Sequence, residues 1–470
     1  MALHDVTRYG ATGKGAPHDD GRAIRAAIDA CSRDGGGIVH FPAGRYHWTA
    51  TIGIPANVRV TGEGSASLLQ PGMPKGEALG ISGSNVSLEH LSIGGSAVVA
   101  VAIRNGAADV AIRSVTFEGS PGFLSHCVLL LECSRILVQD CAFRRAGYGV
   151  IQQLGFASSH VRVTGCTVVE ARADFVECNC ATVDSRDWTI DHNRYLGAAS
   201  TGTEVRFVGI TRVENVLIAN NQVYGVGGDA AVHLEGDLGN IRVVHNHFEN
   251  CRVTGGNLGY IYVTDSGKSL LVQGNTFVQS DPSLPIAFAL DTANSSIAPR
   301  IMFCDNRVIA GAGARFGGMS IGFNQGSTEV RGNEFQGLET GVRANSALHV
   351  RVTGNDFIRC SRGIHSSPDA PSGAAGAGFV VQGNRFSGTG RSCIEAERNG
   401  NGTGAPEKWL IADNWLDGAV QVRDGIDVVA RDNVLLPGAT LDVHAVGHGG
   451  GARNLERSTH VLGSGPKSGT

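Results

Sequence analysis

Asparagine recurs along this chain in one local setting, and this recurrence limits the possible folds more than any other feature. The setting is an apolar pair, a short polar step, Asn, one further residue and an aromatic or aliphatic residue, as in residues 301–308. Its members lie 19 to 31 residues apart and include two cysteines: Cys141, Cys166, Asn193, Asn221, Asn246, Asn275, Asn306, Asn333, Asn355, Asn384, Asn414 and Asn433. A repeat of that length, made only of short strands and turns, indicates the coils of a solenoid.

The same asparagines predict a hydrogen-bonded column along the stack of coils. Neighbouring coils lie about 4.8 Å apart, and each side-chain amide offers both a donor and an acceptor. We therefore expect Asn275 and Asn306 to be buried and to bond to their neighbours in the stack.

Composition narrows the possible partners. The chain has 470 residues, 67 glycines and a net charge of −4, and a solenoid of this length needs only one domain. A nucleic-acid partner would require a basic surface, which a net charge of −4 does not predict. No segment approaches the run of about 20 apolar residues that spans a membrane, so no membrane partner is predicted. The 11 cysteines lack zinc-site spacing and predict buried free thiols, with no metal or cofactor. The N-terminal residues show no signal peptide, which leaves the compartment open.

The N-terminal segment predicts a short amphipathic helix. Ile24, Ala27, Ile28 and Cys31 follow helical spacing, with Asp19 or Asp20 placed to cap the start and residues 35–37, all glycine, ending it. Because the open end of a stacked coil is an exposed sheet edge, we expect this helix to cover it. The prediction is a cap at 1–56, coils at 57–445 and a Gly/Ser-rich tail at 446–470.

Four N-terminal stretches form a recognisable pattern: residues 9–15, Asp19 with Asp20, residues 35–46 and residues 61–64. Together they resemble a known family, the pectate-lyase-like right-handed parallel β-helix proteins. The resemblance implies an all-β fold, a single-chain right-handed parallel β-helix with a short N-terminal capping helix, and association as a homotrimer. It also implies a polysaccharide or oligosaccharide partner but no single reaction, because lyases, hydrolases, epimerases and tailspike depolymerases share this scaffold.

The strand before each Asn-bearing segment predicts the site, because its outward residues form rows on one face. In the central coils these rows bring together acids, Arg, His and Tyr. Candidate catalytic residues are Glu177, Glu235, Asp265 and His233. Candidate sugar-binding residues are Gln152, Asp174, Arg206, Asp229, Tyr260, Tyr262 and Asp291. Ser320, Arg343 and His365 hold comparable places in later coils that are chemically sparser.

Carboxylates on neighbouring or next-neighbouring coils would lie about 5 Å or about 10 Å apart, which brackets the two arrangements used in glycoside hydrolysis. Hydrolysis is therefore the first hypothesis. A β-eliminating lyase acting on an acidic glycan is the second, with His233 or Tyr262 as base and Arg206 neutralising a uronate. A glycan-binding or structural β-helix without turnover is the third.

Motifs of individual subfamilies are incomplete here. The Gly-His-Gly of polygalacturonase-like hydrolases occurs only in the tail, at 447–449, and the epimerase-like stretch at 147–153 lacks its Asp and His. Asp174, Phe175 and Val176 resemble part of the pectin methylesterase site, but Gln153 replaces the preceding catalytic Asp. Asp184, Asp187 and Asp191 fit a loop entering a strand as well as a calcium site, so no metal is predicted.

Overall fold

The computed structural model describes the chain at 2–73, 75–95, 99–119, 126–180, 185–198, 205–236, 239–253, 259–264, 268–292, 300–322, 326–345, 347–366, 377–397, 406–445, 455–457 and 460–461. The chain divides into two compact units, the first being Met1–Val232 with Asp237–Gly239 and the second His233–Gly236 with Asn240–Thr470. Each unit is an all-β parallel solenoid.

Each coil contributes strands to two sheets, here named sheet I and sheet II. Sheet I of the first unit consists of Ile52–Ile54, Glu77–Ile81, Val99–Arg104, His126–Leu131, Tyr148–Gln152, Val176–Asn179 and Val208–Thr211. In the second unit it consists of Gly259–Val263, Ala287–Thr292, Phe316–Ile321, Thr340–Ala344, Arg362–Ser366, Ser392–Ala396, Val420–Gly425 and Leu441–Ala445. The boundary between the units falls within strand Val232–Glu235.

Sheet II carries the strands that flank the repeated asparagines. In the first unit they are Ala2–Asp5, Gly37–Phe41, Gly44–Trp48, Val58–Gly62, Ser67–Pro71, Val86–Ile93, Ala108–Glu118, Cys133–Gln139, Ala142–Arg144, Ser158–Thr164, Thr167–Ala171, Ser185–Asp191, Arg194–Ala198, Val213–Ala219 and Gln222–Tyr224. After the strand Gly239–Val244 come His247–Glu249, Ser269–Gln273, Thr276–Gln279, Arg300–Cys304, Arg307–Ala310, Thr328–Arg331, Glu334–Gln336, Val350–Thr353, Asp356–Ile358, Val380–Gln382, Arg385–Ser387, Leu410–Ala412, Trp415–Leu416, Val429–Arg431, Val434–Leu435, Leu455–Arg457 and His460–Val461.

The predicted N-terminal helix spans Gly21–Arg33, with short 3-10 turns at Val6–Tyr9 and Gly64–Ala66. Its apolar stripe is buried as expected. Asp19 accepts the Gly21 N–H at 2.8 Å, whereas Asp20 accepts from Thr12. Parallel pairing already begins at strand Ala2–Asp5, inside the segment predicted as a cap. The capping role of the helix stays a prediction.

The asparagine column is confirmed in both units. Asn275 Oδ1 accepts the backbone N–H of Asn246 at 2.8 Å and its Nδ2–H at 3.0 Å. Asn275 Nδ2 in turn donates to Asn306 Oδ1 at 3.0 Å and to the Val243 carbonyl at 2.8 Å. Each amide therefore satisfies buried groups in the coils on either side of it.

The residue directly before each asparagine explains the short polar step in the repeat. That residue adopts a left-handed conformation, as at Gly274 (φ 66°) and Asp305 (φ 56°). Glycine, Asn and Asp enter this region at the lowest cost, because a Cβ crowds the following carbonyl there. A tight bend thus turns each asparagine side chain into the coil.

Aromatic residues that follow the asparagines stack inside the second unit. Phe335 lies 5.0 Å from Phe357, and Phe357 lies 4.6 Å from Phe386, with near-parallel rings. All 11 cysteines are buried and none of them forms a disulfide bond, as expected of free thiols. No helix among the described residues is long and apolar enough to cross a membrane.

We predict that Asn275→Leu lowers the free energy of unfolding by about 1–3 kcal/mol, because the Asn246 donors and the Val243 carbonyl lose their partner. The midpoint of thermal unfolding should fall while activity per folded molecule is kept. An unchanged midpoint would show that the column contributes nothing to stability.

Candidate functional site

Polar side chains of the second unit stand in one line across sheet I, on the side away from the core. Strand pairing aligns Tyr262 with Asp291, Asp291 with Ser320, and Ser320 with Arg343, and the register continues through the following strands. His233 joins the line by packing its ring 5.3 Å from that of Tyr262. We call this line the polar row; its members are His233, Tyr262, Asp291, Ser320, Arg343, His365, Glu395 and Gln421.

Three of the predicted site residues lie side by side at the first end of the polar row. They are His233, Tyr262 and Asp291, of which Tyr262 is 7% exposed and Asp291 3% exposed. Thr264 donates its backbone N–H to the Leu234 carbonyl at 3.1 Å, so Glu235 lies beside Thr264 at the exposed end of its strand. Asp265 lies outside the described residues.

Tyr260 was predicted to face outward with Tyr262, and this is wrong. Tyr260 and Ile261 are consecutive and both are fully buried, because strand Gly259–Val263 is buried along its whole length and does not alternate between buried and exposed residues. The Tyr260 hydroxyl accepts from Cys251 N at 3.1 Å and donates to Gln279 Oε1 at 3.1 Å. Tyr260 is thus a core residue.

Arg343 is held above an aromatic ring in the middle of the polar row. Its guanidinium carbon lies 4.7 Å from the centre of the Phe288 ring, and its Nη2 donates to Ser320 Oγ at 3.0 Å. Phe288 aligns with Gly317 on the next strand, where a Cβ would come within 2.3 Å of the ring. The glycine therefore lets the ring lie flat on the sheet and support the cation.

Glu395 is a member of the polar row that the sequence did not single out. Its carboxylate pairs with Arg362 Nε at 2.9 Å and with Arg391 Nη2 at 3.1 Å. Burial opposes its charge, but the Ser392 hydroxyl and these two guanidinium groups lower the pKa of Glu395 below its usual range. Glu395 therefore stays ionised and holds arginines, which makes it a poor proton donor.

His365, Glu395 and Glu397 come nearest to a metal-ligand arrangement among the described residues, with ligand atoms within 4.8 Å of one another. The two arginines on Glu395 and the Arg423 guanidinium 3.7 Å from Glu397 already neutralise the carboxylates. A cation entering the group would meet these positive charges at close range. We assign no metal to it.

The first unit contains a separate buried charge cluster of Asp174, Arg206 and Asp229. Arg206 makes a two-pronged contact with Asp229, Nε at 2.6 Å and Nη2 at 2.9 Å, and its Nη1 lies 3.2 Å from Asp174 Oδ2. Asp174 also accepts the Arg206 backbone N–H at 2.7 Å. The Arg206 side chain is only 13% exposed. Arg206 was predicted to bind sugar, but in the structure its guanidinium is the counter-ion of two buried acids.

Burial raises the pKa of Asp174 to about 7, against the lowering effect of Arg206. Between the usual value of 3.8 and about 7, the folded protein holds a proton that the unfolded chain has lost. The free energy of unfolding should therefore fall as the pH rises through this window. We predict that Asp174→Asn removes most of this slope in denaturant titrations run across the window; an unchanged slope would place its origin elsewhere.

Gln152 takes a different position from the one predicted, whereas Glu177 lies on the less buried face of its strand, as predicted. Gln152 is fully buried; its Nε2 donates to the Phe156 carbonyl at 2.8 Å and its Oε1 accepts from Ser185 at 2.8 Å. It aligns with the buried Cys178 rather than with Glu177, so the expectation of an outward Gln152 is wrong. Glu177 is half-buried and accepts from the Asn179 side-chain amide.

The N-terminal part of the chain matches a family model. Residues 3–124 match the model described as rhamnogalacturonase A/epimerase, pectate lyase-like. The match covers 122 of the 470 residues, and this segment is similar to pectate-lyase-like proteins. No curated protein matches the sequence. The matched segment ends before the polar row begins, so the row itself lies outside the match.

Solved structures share the fold of this β-helix protein. The pre-mature gene product 12 of bacteriophage phi29 matches with 13% identity over 93% of this chain and 66% of its own, at a TM-score of 0.55. A tailspike protein mutant of E. coli bacteriophage HK620, in complex with a pentasaccharide, matches with 12% identity over 93% and 78%, at 0.51. At these identities the likeness shows the fold alone.

Proposed function

We propose that this chain is a carbohydrate-active enzyme that binds a glycan along the polar row and hydrolyses it at the end formed by His233, Tyr262 and Asp291. The observation that carries the proposal is the register itself, which places hydroxyl, carboxylate, guanidinium and imidazole groups on successive strands of one face. Such a line suits an extended chain of polar rings, each offering several hydroxyl groups.

Glu235 and Asp291 are the proposed carboxylate pair. Glu235 is exposed and Asp291 is 3% exposed, which gives the two groups the contrasting environments that a division between acid and base requires. Two strand steps and two residues separate their backbones by roughly 12 Å. When the two side chains point toward each other across this gap, their carboxyl groups come closer to the separation of about 6.5–9.5 Å found in inverting glycosidases than to the separation of about 5 Å found in retaining ones.

The glycan ligand is also supported by a relative of the same fold. The HK620 tailspike was solved with a pentasaccharide bound. The Tyr262 and His233 rings supply flat surfaces against which a sugar ring can pack. Glu177 of the first unit remains a further candidate carboxylate.

The decisive experiment is product analysis after incubation with a panel of neutral and acidic glycans. Hydrolysis predicts new reducing ends without ultraviolet absorption from an unsaturated uronate. Proton NMR of the first product should show inversion at the anomeric carbon if Glu235 and Asp291 act through a water. Tight binding without product would leave a glycan-binding protein.

A β-eliminating lyase is the second candidate, favoured by the packing of the His233 ring against Tyr262. Either ring could serve as the base, and Arg343 replaces Arg206 as the group that neutralises a uronate. Product absorbing in the unsaturated-uronate band would decide for elimination. The homotrimer also stays a prediction, to be tested by light scattering against the monomer mass of 48.9 kDa.

A further inference from the structure

A cavity of about 180 Å³ opens beside the polar row of the second unit. Its lining includes Phe288, Glu339, Thr340, Arg343, Arg362 and His365. Whole ligand sites usually enclose about 300–1,000 Å³, so this cavity suits one ring of a larger ligand. Aromatic, hydroxyl and charged groups converge on it from three strands of sheet I and from the connection that carries Glu339.

The charges around the cavity are balanced except at Arg343. Arg362 pairs with Glu395 at 2.9 Å, and Glu339 pairs with Arg315 at 3.4 Å. Arg343 forms no ion pair with any described carboxylate; its contacts are the Phe288 ring and Ser320. Its Nε is buried without a hydrogen-bond acceptor among the described residues. A buried cationic donor left in this state is stabilised by an incoming anion.

We infer that this cavity is a subsite for a sugar that carries a carboxylate, held by the Arg343 fork. The inference rests on the proposed glycan function and adds to it the charge of one sugar and the residue that selects it. A guanidinium presents two parallel N–H groups to a carboxylate, and Phe288 fixes its plane beforehand. Because Arg362 and Glu339 already have partners, they shape the cavity without supplying its net charge.

The test is binding of the full-length protein to a glycan array that carries uronate and sialate oligosaccharides beside their methyl esters. We expect binding to carboxylated glycans and loss on esterification. Arg343→Gln should weaken that binding by about 10-fold to 100-fold, as loss of a charge-assisted hydrogen bond does. Arg343→Lys should recover only part of it, because the ammonium lacks the fork. Arg351→Gln, an exposed arginine of sheet II in the same unit, is the matched control.

Gly317→Ala provides a second variant that keeps Arg343. The new Cβ must displace the Phe288 ring, so carboxylate binding should fall although every charge remains. Gly53→Ala is the matched control, since a Cβ there meets nothing within 4 Å.

Each outcome decides between the two proposals. Binding of neutral glycans alone, or carboxylate binding that survives Arg343→Gln, would overturn the subsite and leave the glycan function standing. Binding to no glycan on the array would overturn both. The unfolding midpoints of Arg343→Gln and Gly317→Ala are measured in parallel. They show whether each variant is folded, so that a loss of binding is not caused by unfolding.

Discussion

Replacing Glu235 by glutamine should lower turnover on a cleaved glycan by about 10² or more, while binding of the oligosaccharide is largely kept. Glutamine preserves the shape and most hydrogen bonds but removes the charge and the ionisable proton. Asp291→Asn should act alike, since hydrolysis needs both carboxyl groups. The double variant should be little worse than either single one, because residues that act as a unit are strongly non-additive.

The controls for this experiment follow from the exposure of other carboxylates. Asp356 is exposed on strand Asp356–Ile358 of sheet II, and Glu132 is exposed in a turn. Asp356→Asn and Glu132→Gln make the same chemical changes and should leave turnover unaltered. Glu339 is unsuitable as a control, because it lines the cavity beside Arg343. Normal turnover in both Glu235→Gln and Asp291→Asn would exclude this pair, and Glu177→Gln would become the next variant to measure.

The solenoid could be predicted from the sequence because the same structural constraint acts on every coil. Every coil must satisfy the same buried groups at the same bend, so the pairing of a left-handed residue with Asn recurs, as at Gly274 with Asn275. Each copy is a separate observation of one constraint. The N-terminal helix was equally accessible, because its apolar stripe follows a single period.

The site was harder to predict because its residues keep no fixed distance from the repeat. Row members precede the next asparagine by 12 residues at Arg343 but by 19 at His365. Connections of different length hide the register, so Arg343 and His365 were judged chemically sparse although they continue the row of Tyr262 and Asp291. Alternation also failed at Tyr260, because all five residues of strand Gly259–Val263 are buried.

Long-range charge pairing was the other feature that sequence reasoning missed. Arg206 was expected to bind sugar. Its partners are Asp174 and Asp229, which lie 32 and 23 residues away in the chain. All three residues precede sheet I strands of successive coils, and only the stacking of those coils shows that they meet.

Arg206→Gln should destabilise the protein by about 3–5 kcal/mol near neutral pH, the cost of leaving buried carboxylates without their cation. Asp174 is fully buried and Asp229 is 6% exposed, so water cannot replace the guanidinium. The loss should shrink as the pH falls through about 7, because Asp174, whose pKa burial raises to about 7, then takes up a proton. Denaturant unfolding at neutral and acidic pH measures both effects.

The matched control is Arg135→Gln, which breaks a pair of equally close contacts with Asp109, at 2.7 and 2.8 Å. Both of those side chains are more than half exposed, so solvent replaces the contact and the unfolding midpoint should hardly move. The triple change Arg206→Gln, Asp174→Asn and Asp229→Asn should recover part of the loss, since no buried charge then remains unpaired. If Arg206→Gln unfolds at the same denaturant concentration as Arg135→Gln, the cluster is not a structural ion pair, and Arg206 returns to consideration as a ligand for an acidic sugar.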